Sequence, residues 1–249
     1  MPFRSHCVSM HGMSDPQPPT ATATLARDDM RSFDAYLARP YKTSAPGIVV
    51  MHDMFGLNAQ IRAVADRYAG LGYVAMVPNL FWRSTPPDPI PYDGGQHELA
   101  WARLKALDLD AVTTDMRTAI GWLKEQPFST GKVAAVGFCG GGRFAFLAAA
   151  RCGVDAAAAL YGLGIAEHLG ELSQVKCPLQ LHYGLKDEHI PRREIDTVSA
   201  AMRGRPSVEV FLYPEAGHSF ANPVRPTYDA TAAKLAAAAI EKMLSGMSG

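Results

Sequence analysis

Hydrophobic residues along the chain fall into short continuous runs that alternate with stretches at helical spacing. The continuous runs predict strands buried on both faces, at residues 47–52, 72–77, 132–136, 154–160, 179–182 and 208–213. Helical spacing or helix-forming composition predicts helices at residues 60–69, 110–125, 143–150, 193–203 and 228–243. Residues 31–39 alternate instead, with Phe33, Ala35 and Leu37 on one side, which predicts a half-exposed edge strand.

This alternation of strands and helices predicts an α/β domain whose mostly parallel sheet is covered by helices on both faces. Ligands of such folds bind at the carboxyl ends of the strands. We place this single domain at residues 30–246, after a flexible N-terminal extension at residues 1–29 that is rich in Pro, Thr and Ser. The proline-rich residues 83–95 predict a long irregular loop, and loops of this length often carry function.

Charge and cysteine content narrow the functional class. The 24 basic and 24 acidic residues cancel, and the pI of about 7.1 argues against binding to nucleic acid or to an anionic membrane surface. No apolar run reaches the roughly 18 residues of a membrane span. The four cysteines show neither a Cys-x-x-Cys pair nor zinc-like spacing with histidine, which favours a reduced chain. We therefore expect a cytoplasmic monomer or small homo-oligomer that acts on a small molecule.

A glycine-flanked turn lies between a predicted strand and a predicted helix. Its sequence, Gly137-Phe138-Cys139-Gly140-Gly141, fits the nucleophile-elbow pattern Gly-x-nucleophile-x-Gly. The glycines are required because the chains on either side pass too close for side chains. The turn puts the Cys139 sulfur at a helix N-terminus, which favours a thiolate and any developing oxyanion. The alternatives are a structural buried cysteine and a phosphate-binding turn, although the P-loop ending Gly-Lys-Ser/Thr is absent.

A nucleophile on an elbow requires a base, and the base requires an orienting carboxylate. In enzymes with such an elbow, the chain order is nucleophile, acid and histidine. Asp187 follows one predicted strand and His218 follows the next, so both fit that order after Cys139. Glu188 is the alternative acid and His189 the alternative base. Each of these residues alone could be an ordinary loop residue, but the order of all three favours a catalytic triad.

Backbone N–H groups beside the nucleophile and in an early loop stabilise the oxyanion in such enzymes. We therefore expect the N–H groups of Gly140 and Met54 to form the oxyanion hole. Candidates for the pocket wall lie in the surrounding loops: Phe55, Arg83, Tyr161 and Phe220. Aromatic residues in such loops serve just as often in ordinary packing.

Several segments together resemble the dienelactone hydrolase family, the carboxymethylenebutenolidases of the α/β-hydrolase superfamily. They are His52-Asp53-Met54-Phe55-Gly56-Leu57-Asn58, Pro78-Asn79-Leu80-Phe81, Gly137-Phe138-Cys139-Gly140-Gly141-Gly142, Tyr161-Gly162, Gly184 with Asp187, and Glu215-Ala216-Gly217-His218-Ser219-Phe220. The resemblance extends from about residue 33 to about residue 243. It implies an α/β-hydrolase fold and a Cys–His–Asp triad that hydrolyses the ester of an unsaturated lactone, with no metal or organic cofactor.

The sequence departs from the family pattern at two positions. Family members carry a Glu, placed to interact with the resting thiol, where this chain has the shorter Asp53. Its charge opposes thiolate formation, so we hypothesise a thiol kept neutral until substrate displaces the carboxylate. Family members also bind the substrate carboxylate with two arginines. Arg83 matches the first, whereas Asn222 stands at the second position, and Arg225 is the candidate replacement.

The sequence therefore predicts a cysteine hydrolase that cleaves a small ester or lactone, most specifically a dienelactone-type lactone, through an acyl-thioenzyme. A general carboxylesterase or thioesterase unrelated to the degradation of aromatic compounds is the alternative enzyme. A binding protein without catalytic activity is the alternative from another class. The presence of all three residue types of the triad argues against it.

Overall fold

The predicted strands join into one eight-stranded sheet in the computed structural model, which describes residues 18–27, 29–92 and 95–247. The strands are β1 (Thr20–Ala26), β2 (Ser32–Ala38), β3 (Ala45–Met51), β4 (Val74–Pro78), β5 (Ser129–Phe138), β6 (Ala156–Leu160), β7 (Leu179–Gly184) and β8 (Val208–Tyr213). Their order in the sheet is β1-β2-β4-β3-β5-β6-β7-β8, and the last six strands in this order are parallel. All seven residues of β3 are buried, so both faces of the sheet are covered, as predicted.

Helices fill the connections between the parallel strands. Among the described residues they are α1 (Ala59–Gly70), α2 (His97–Lys105), α3 (Leu109–Glu125), α4 (Gly140–Arg151), α5 (Arg192–Met202) and α6 (Ala230–Ser245), with a 3₁₀ helix at Ile165–Gln174. The side chains of Asn58, Asp108 and Asp229 accept backbone N–H groups at the starts of α1, α3 and α6, which explains where these helices begin. No helix of these residues has the length and apolarity needed to span a bilayer.

The predicted edge strand is confirmed as a strand, but it does not lie at the edge. Phe33, Ala35 and Leu37 of β2 are buried as expected, yet β1 pairs with the outer side of β2 in antiparallel register. β1 occupies residues that the sequence analysis places in the N-terminal extension. Leu25 is its one buried residue, so backbone hydrogen bonds hold this strand and hydrophobic periodicity does not reveal it. Residues 1–17 of the predicted extension lie outside the described residues.

Helix α2 is not predicted from the sequence, although it packs close to the elbow. It follows the proline-rich loop and buries Ala100, Arg103 and Leu104. A buried arginine interrupts the apolar spacing, so the periodicity gives no helix signal there. The Arg103 guanidinium donates hydrogen bonds to the carbonyl oxygens of Asp88 (2.6 Å) and Met54 (3.2 Å). Arg103 thereby ties the proline-rich loop to the segment that follows β3.

Candidate active site

The turn between β5 and α4 has the sharp geometry that its glycines predict. Cys139 adopts φ 56° and ψ −121°, a left-handed φ that L residues rarely adopt. A Cβ atom on Gly137 would lie 1.9 Å from the carbonyl oxygen of Gly141. A Cβ atom on Gly141 would lie 2.2 Å from the carbonyl oxygen of Met51 in β3. Neither position tolerates a side chain, so the glycines allow the tight turn that holds Cys139 at the start of α4.

Asp187 and His218 meet beyond the carboxyl ends of β7 and β8. Oδ1 of Asp187 accepts the backbone N–H groups of His189 (2.8 Å) and Ile190 (3.0 Å), which fixes the carboxylate in its turn. Oδ2 of Asp187 accepts Nδ1–H of His218 at 2.8 Å. This hydrogen bond leaves Nε2 of His218 without a proton when the ring is neutral. The alternative acid, Glu188, is exposed and makes no hydrogen bond to His218.

The His218 ring lies beside the sulfur of Cys139. Nε2 of His218 is buried and has no partner of normal hydrogen-bond geometry among the described residues. Burial disfavours the charged ring, yet the charge of the Cys139 sulfur and the Asp187 carboxylate together raise the pKa of His218 to about 10. The arrangement therefore favours a protonated His218 ring beside the sulfur. It can move a proton between Nε2 and the sulfur.

Asp53 lies in the loop after β3, but its side chain is occupied by neighbours other than Cys139. Its oxygens accept the backbone N–H of Phe55 (2.9 Å) and the hydroxyl of Tyr92 (2.6 Å), and no hydrogen bond joins it to the sulfur. Burial raises the pKa of Asp53, while Tyr92, Phe55 and the charges of Arg225 and His218 oppose that rise. Tyr92 is a residue that the sequence analysis misses, because it stands in an irregular loop with no motif around it.

The two residues of the expected oxyanion hole lie in the loop after β3 and at the start of α4. Met54 is buried, and its carbonyl oxygen accepts a hydrogen bond from Arg103, which fixes the orientation of this peptide segment. Gly140 follows the nucleophile as the first residue of α4. Side chains crowd it, since a Cβ atom there would lie 2.6 Å from Cδ1 of Leu104. Backbone N–H groups at a helix start are suited to an oxyanion.

Aromatic rings surround His218, but they differ in what they can contact. The Tyr161 ring lies 5.1 Å from the His218 ring and 5.3 Å from the Phe220 ring. Phe220 is completely buried and packs against Tyr161 and Tyr213, so its role in the pocket wall stays a prediction. Phe55 packs against Tyr92 with ring centroids 4.7 Å apart. Sequence analysis identifies the aromatic loops but cannot separate a wall residue from its support.

The Arg83 guanidinium, expected to bind the substrate carboxylate, is paired with a carboxylate of helix α3. Its Nη2 donates to Oδ1 of Asp115 in α3 at 2.9 Å, and its guanidinium stacks 4.0 Å from the Trp82 ring. Asp115 is completely buried and also pairs with Arg27, so this carboxylate holds Arg83 firmly. The motif position alone could not reveal this, because Asp115 comes from a helix 32 residues further on.

Asn222 and Arg225, which follow His218, lie on the Asp53 side of the site. Asn222 is buried and lines a small cavity with Asp53 and Tyr161, and its Oδ1 accepts the N–H of Val224. The Arg225 guanidinium lies 5.6 Å from the Phe55 ring and 5.6 Å from the Tyr92 ring. Arg225 therefore borders the predicted pocket, whereas the Asn222 side chain is already engaged.

The family is decided by a comparison with known proteins. The profile of the dienelactone hydrolase family matches residues 33–248. The chain belongs to this family. It is 37% identical to a carboxymethylenebutenolidase of Pseudomonas putida, over 84% of this chain and 89% of that protein. It is 31% identical to carboxymethylenebutenolidase 1 of Cupriavidus pinatubonensis, over 86% of this chain and 91% of that protein.

Comparison with solved structures identifies the fold. The fold is similar to that of a dienelactone hydrolase from Anabaena variabilis, with a TM-score of 0.70 and 19% identity. The match covers 93% of this chain and 99% of that one. The predicted α/β-hydrolase fold and the predicted family are therefore confirmed. The chain is a hydrolase of the dienelactone hydrolase type that acts on small molecules.

Proposed function

We propose that this dienelactone hydrolase family member hydrolyses a dienelactone-type unsaturated lactone with Cys139 as nucleophile, His218 as base and Asp187 as the orienting acid. One observation carries the proposal. Asp187 accepts Nδ1–H of His218, while the buried Nε2 on the other side of the ring is unpaired and lies beside the sulfur. A ring held in this way is oriented to take a proton from a thiol.

The proposed reaction forms and then breaks one thioester. The Cys139 thiolate attacks the lactone carbonyl carbon, and the N–H groups of Gly140 and Met54 stabilise the developing oxyanion. The ring C–O bond breaks, and the imidazolium of His218 protonates the departing oxygen. A water molecule, deprotonated by Nε2 of His218, then attacks the thioester. The carboxylic acid product leaves as the C–S bond breaks. The Cys139 thiolate is thereby restored beside the imidazolium of His218, which kept the proton taken from water.

The proposed substrate contacts are made by side chains that border the pocket and are not already paired with other protein groups. Phe55 and Tyr161 lie beside the predicted pocket, and Arg225 lies near Asp53 with no ion pair within 4 Å among the described residues. We propose that Arg225 pairs with the substrate carboxylate, a role that Arg83 cannot fill while Asp115 holds it. Relatives named carboxymethylenebutenolidase at 37% identity support a lactone as substrate.

The test of this function is a comparison of substrates. We expect kcat/KM for dienelactone to exceed kcat/KM for a simple aryl acetate. We also expect the carboxylate-free analogue of the lactone to be the poorer lactone substrate, because it lacks a partner for Arg225. A preference for the aryl acetate, with no gain from the carboxylate, would favour a general esterase instead.

Asp53 modulates the thiol through charge in this proposal, since its oxygens already bind Phe55 and Tyr92. Replacing it by Ala removes a negative charge near the sulfur. We expect Asp53→Ala to be alkylated by iodoacetamide at Cys139 faster than wild type at neutral pH, because thiolate formation is no longer opposed. Equal labelling rates across the pH range would remove Asp53 from this role.

A further inference from the structure

A groove of about 500 Å³ lies beside the proposed triad, where its lining residue His189 contacts His218. Helix α2, the start of α4, the 3₁₀ helix and the turn after β7 form its walls. We call it the Arg143 groove, and its principal lining residues are Trp101, Leu104, Arg143, Leu163, Glu167 and His189. None of them has a role in the lactone reaction described above.

Three lining residues of the Arg143 groove contact the elbow or the proposed base. The backbone N–H of Leu163 donates to the carbonyl oxygen of Cys139 at 3.1 Å. The Leu104 side chain packs against Gly140, because a Cβ atom added to Gly140 would lie only 2.6 Å from Cδ1 of Leu104. The ring of His189 lies 4.7 Å from the ring of His218, perpendicular to it. The groove is therefore separated from the proposed nucleophile and base by one layer of side chains, among them Leu104 and His189.

Arg143 is a charged group that lacks a partner of opposite charge. It lies one helical turn after Cys139, roughly 6 Å along the axis of α4. Its Nε is buried and unpaired, and its guanidinium forms no hydrogen bond or ion pair with any described residue. Its guanidinium lies 5.5 Å from the centre of the Phe144 ring. A half-buried guanidinium in this state gains more from an incoming anion than an exposed one does.

The acidic residues of the groove do not satisfy Arg143. The Glu167 side chain is exposed and lies beyond ion-pair distance, so its charge attracts the Arg143 guanidinium only through partly screened space. Burial raises the pKa of Glu194, which lies at the end of the groove and forms no ion pair with Arg143. The other cation, Lys105, lies 6.0 Å from the Trp101 ring at the outer wall. The Arg143 guanidinium is therefore left without a direct carboxylate partner among the described residues.

We propose that the Arg143 groove binds the far end of an extended ester, with Arg143 pairing with a carboxylate several bonds from the scissile carbonyl. Trp101 and Leu163 contact the apolar linker between the two ends. This inference rests on the proposed function of Cys139 and extends it, since a compact lactone would not reach Arg143. Arg143 is thus a specificity-determining residue, and extended anionic esters are a second substrate class of the same site.

Two matched pairs of esters test this proposal. One pair, mono(4-nitrophenyl) adipate and 4-nitrophenyl heptanoate, differs by a remote carboxylate on the acyl chain. The other, 3-(4-acetoxyphenyl)propionate and its methyl ester, differs by a remote carboxylate on the alcohol. For at least one pair, we expect Arg143→Met to lower the anionic-to-neutral ratio of kcat/KM about tenfold or more, mainly through KM.

Three further variants make the result specific. Arg143→Lys retains the charge, so we expect it to keep most of the preference for the anionic ester. Glu167→Gln removes a competing negative charge, so it should raise the ratio. Arg203→Met makes the same change as Arg143→Met at an exposed position at the far end of α5, and the ratio should not move.

The outcomes separate this inference from the proposed function. An unchanged ratio in Arg143→Met, or an equal loss for both members of each pair, would overturn the inference while leaving the hydrolase active. If wild type hydrolyses neither the dienelactone nor any one of the four esters, the proposed function itself is overturned. An anionic-to-neutral ratio of kcat/KM that falls in Arg143→Met and is kept in Arg143→Lys would support binding of the remote carboxylate in the Arg143 groove.

Discussion

Cys139→Ser lowers kcat on every substrate by roughly 10³-fold or more, because a hydroxyl is much harder to ionise than a thiol. The elbow offers no new base to compensate, since His218 is the titratable side chain placed beside the sulfur. The strained backbone at Cys139 depends on its glycine neighbours, so the substitution should leave the fold intact. Initial rates and a thermal unfolding curve of the same preparation measure both effects.

The matched control is Cys152→Ser, which changes a free thiol outside the site. Burial raises the pKa of Cys152 to about 11 and that of Cys177 to about 11, so neither thiol is reactive near neutral pH. We expect Cys152→Ser to keep wild-type activity and iodoacetamide sensitivity. Activity in Cys139→Ser close to that of Cys152→Ser would show that another group attacks the substrate.

Asp187→Asn should lower kcat by about 10³- to 10⁴-fold while leaving KM nearly unchanged. The amide keeps one oxygen for the N–H groups of His189 and Ile190, so the turn after β7 survives. Its NH₂ group replaces the oxygen that accepts Nδ1–H of His218, and the ring then turns its proton toward the sulfur. The base is thus held in the wrong tautomer.

The pH dependence distinguishes this role from a structural one. Asp187 is one of the groups that raise the pKa of His218 to about 10. Its neutralisation lowers that pKa, so the imidazolium loses its proton at a lower pH and the basic limb of the kcat profile shifts downward. Glu188→Gln changes the neighbouring exposed carboxylate and should leave rate and profile as in wild type. A loss of activity in Glu188→Gln equal to that in Asp187→Asn would contradict the assignment.

The features that sequence analysis predicts well share a local physical cause. Continuous apolar runs locate the parallel strands because both sheet faces are buried, as in β3. The glycines around Cys139 mark the elbow because a Cβ on Gly141 would touch the carbonyl oxygen of Met51. The chain order of Cys139, Asp187 and His218 identifies side chains that the structure brings together, through loops that follow three different strands.

The features that it misses depend on contacts between distant segments. β1 is held by backbone hydrogen bonds and buries one residue, so it leaves no periodic signal. Arg83 stands at the position expected to bind the substrate carboxylate, but Asp115 of α3 captures its guanidinium. Asp53 occupies the position expected beside the thiol, but the hydroxyl of Tyr92, from the proline-rich loop, takes one of its oxygens. Motif positions specify which residue is present but not which partner reaches it.

Rapid-quench mass spectrometry during the first turnover of dienelactone tests the central claim most directly. A lactone loses no leaving group on acylation, so the account predicts a transient adduct with the full mass of the substrate on the peptide that contains Cys139. The adduct should disappear as product forms and should be absent from Cys139→Ser. Product formation in wild type with no adduct on Cys139 at any time, or with the adduct on another residue, would contradict the account.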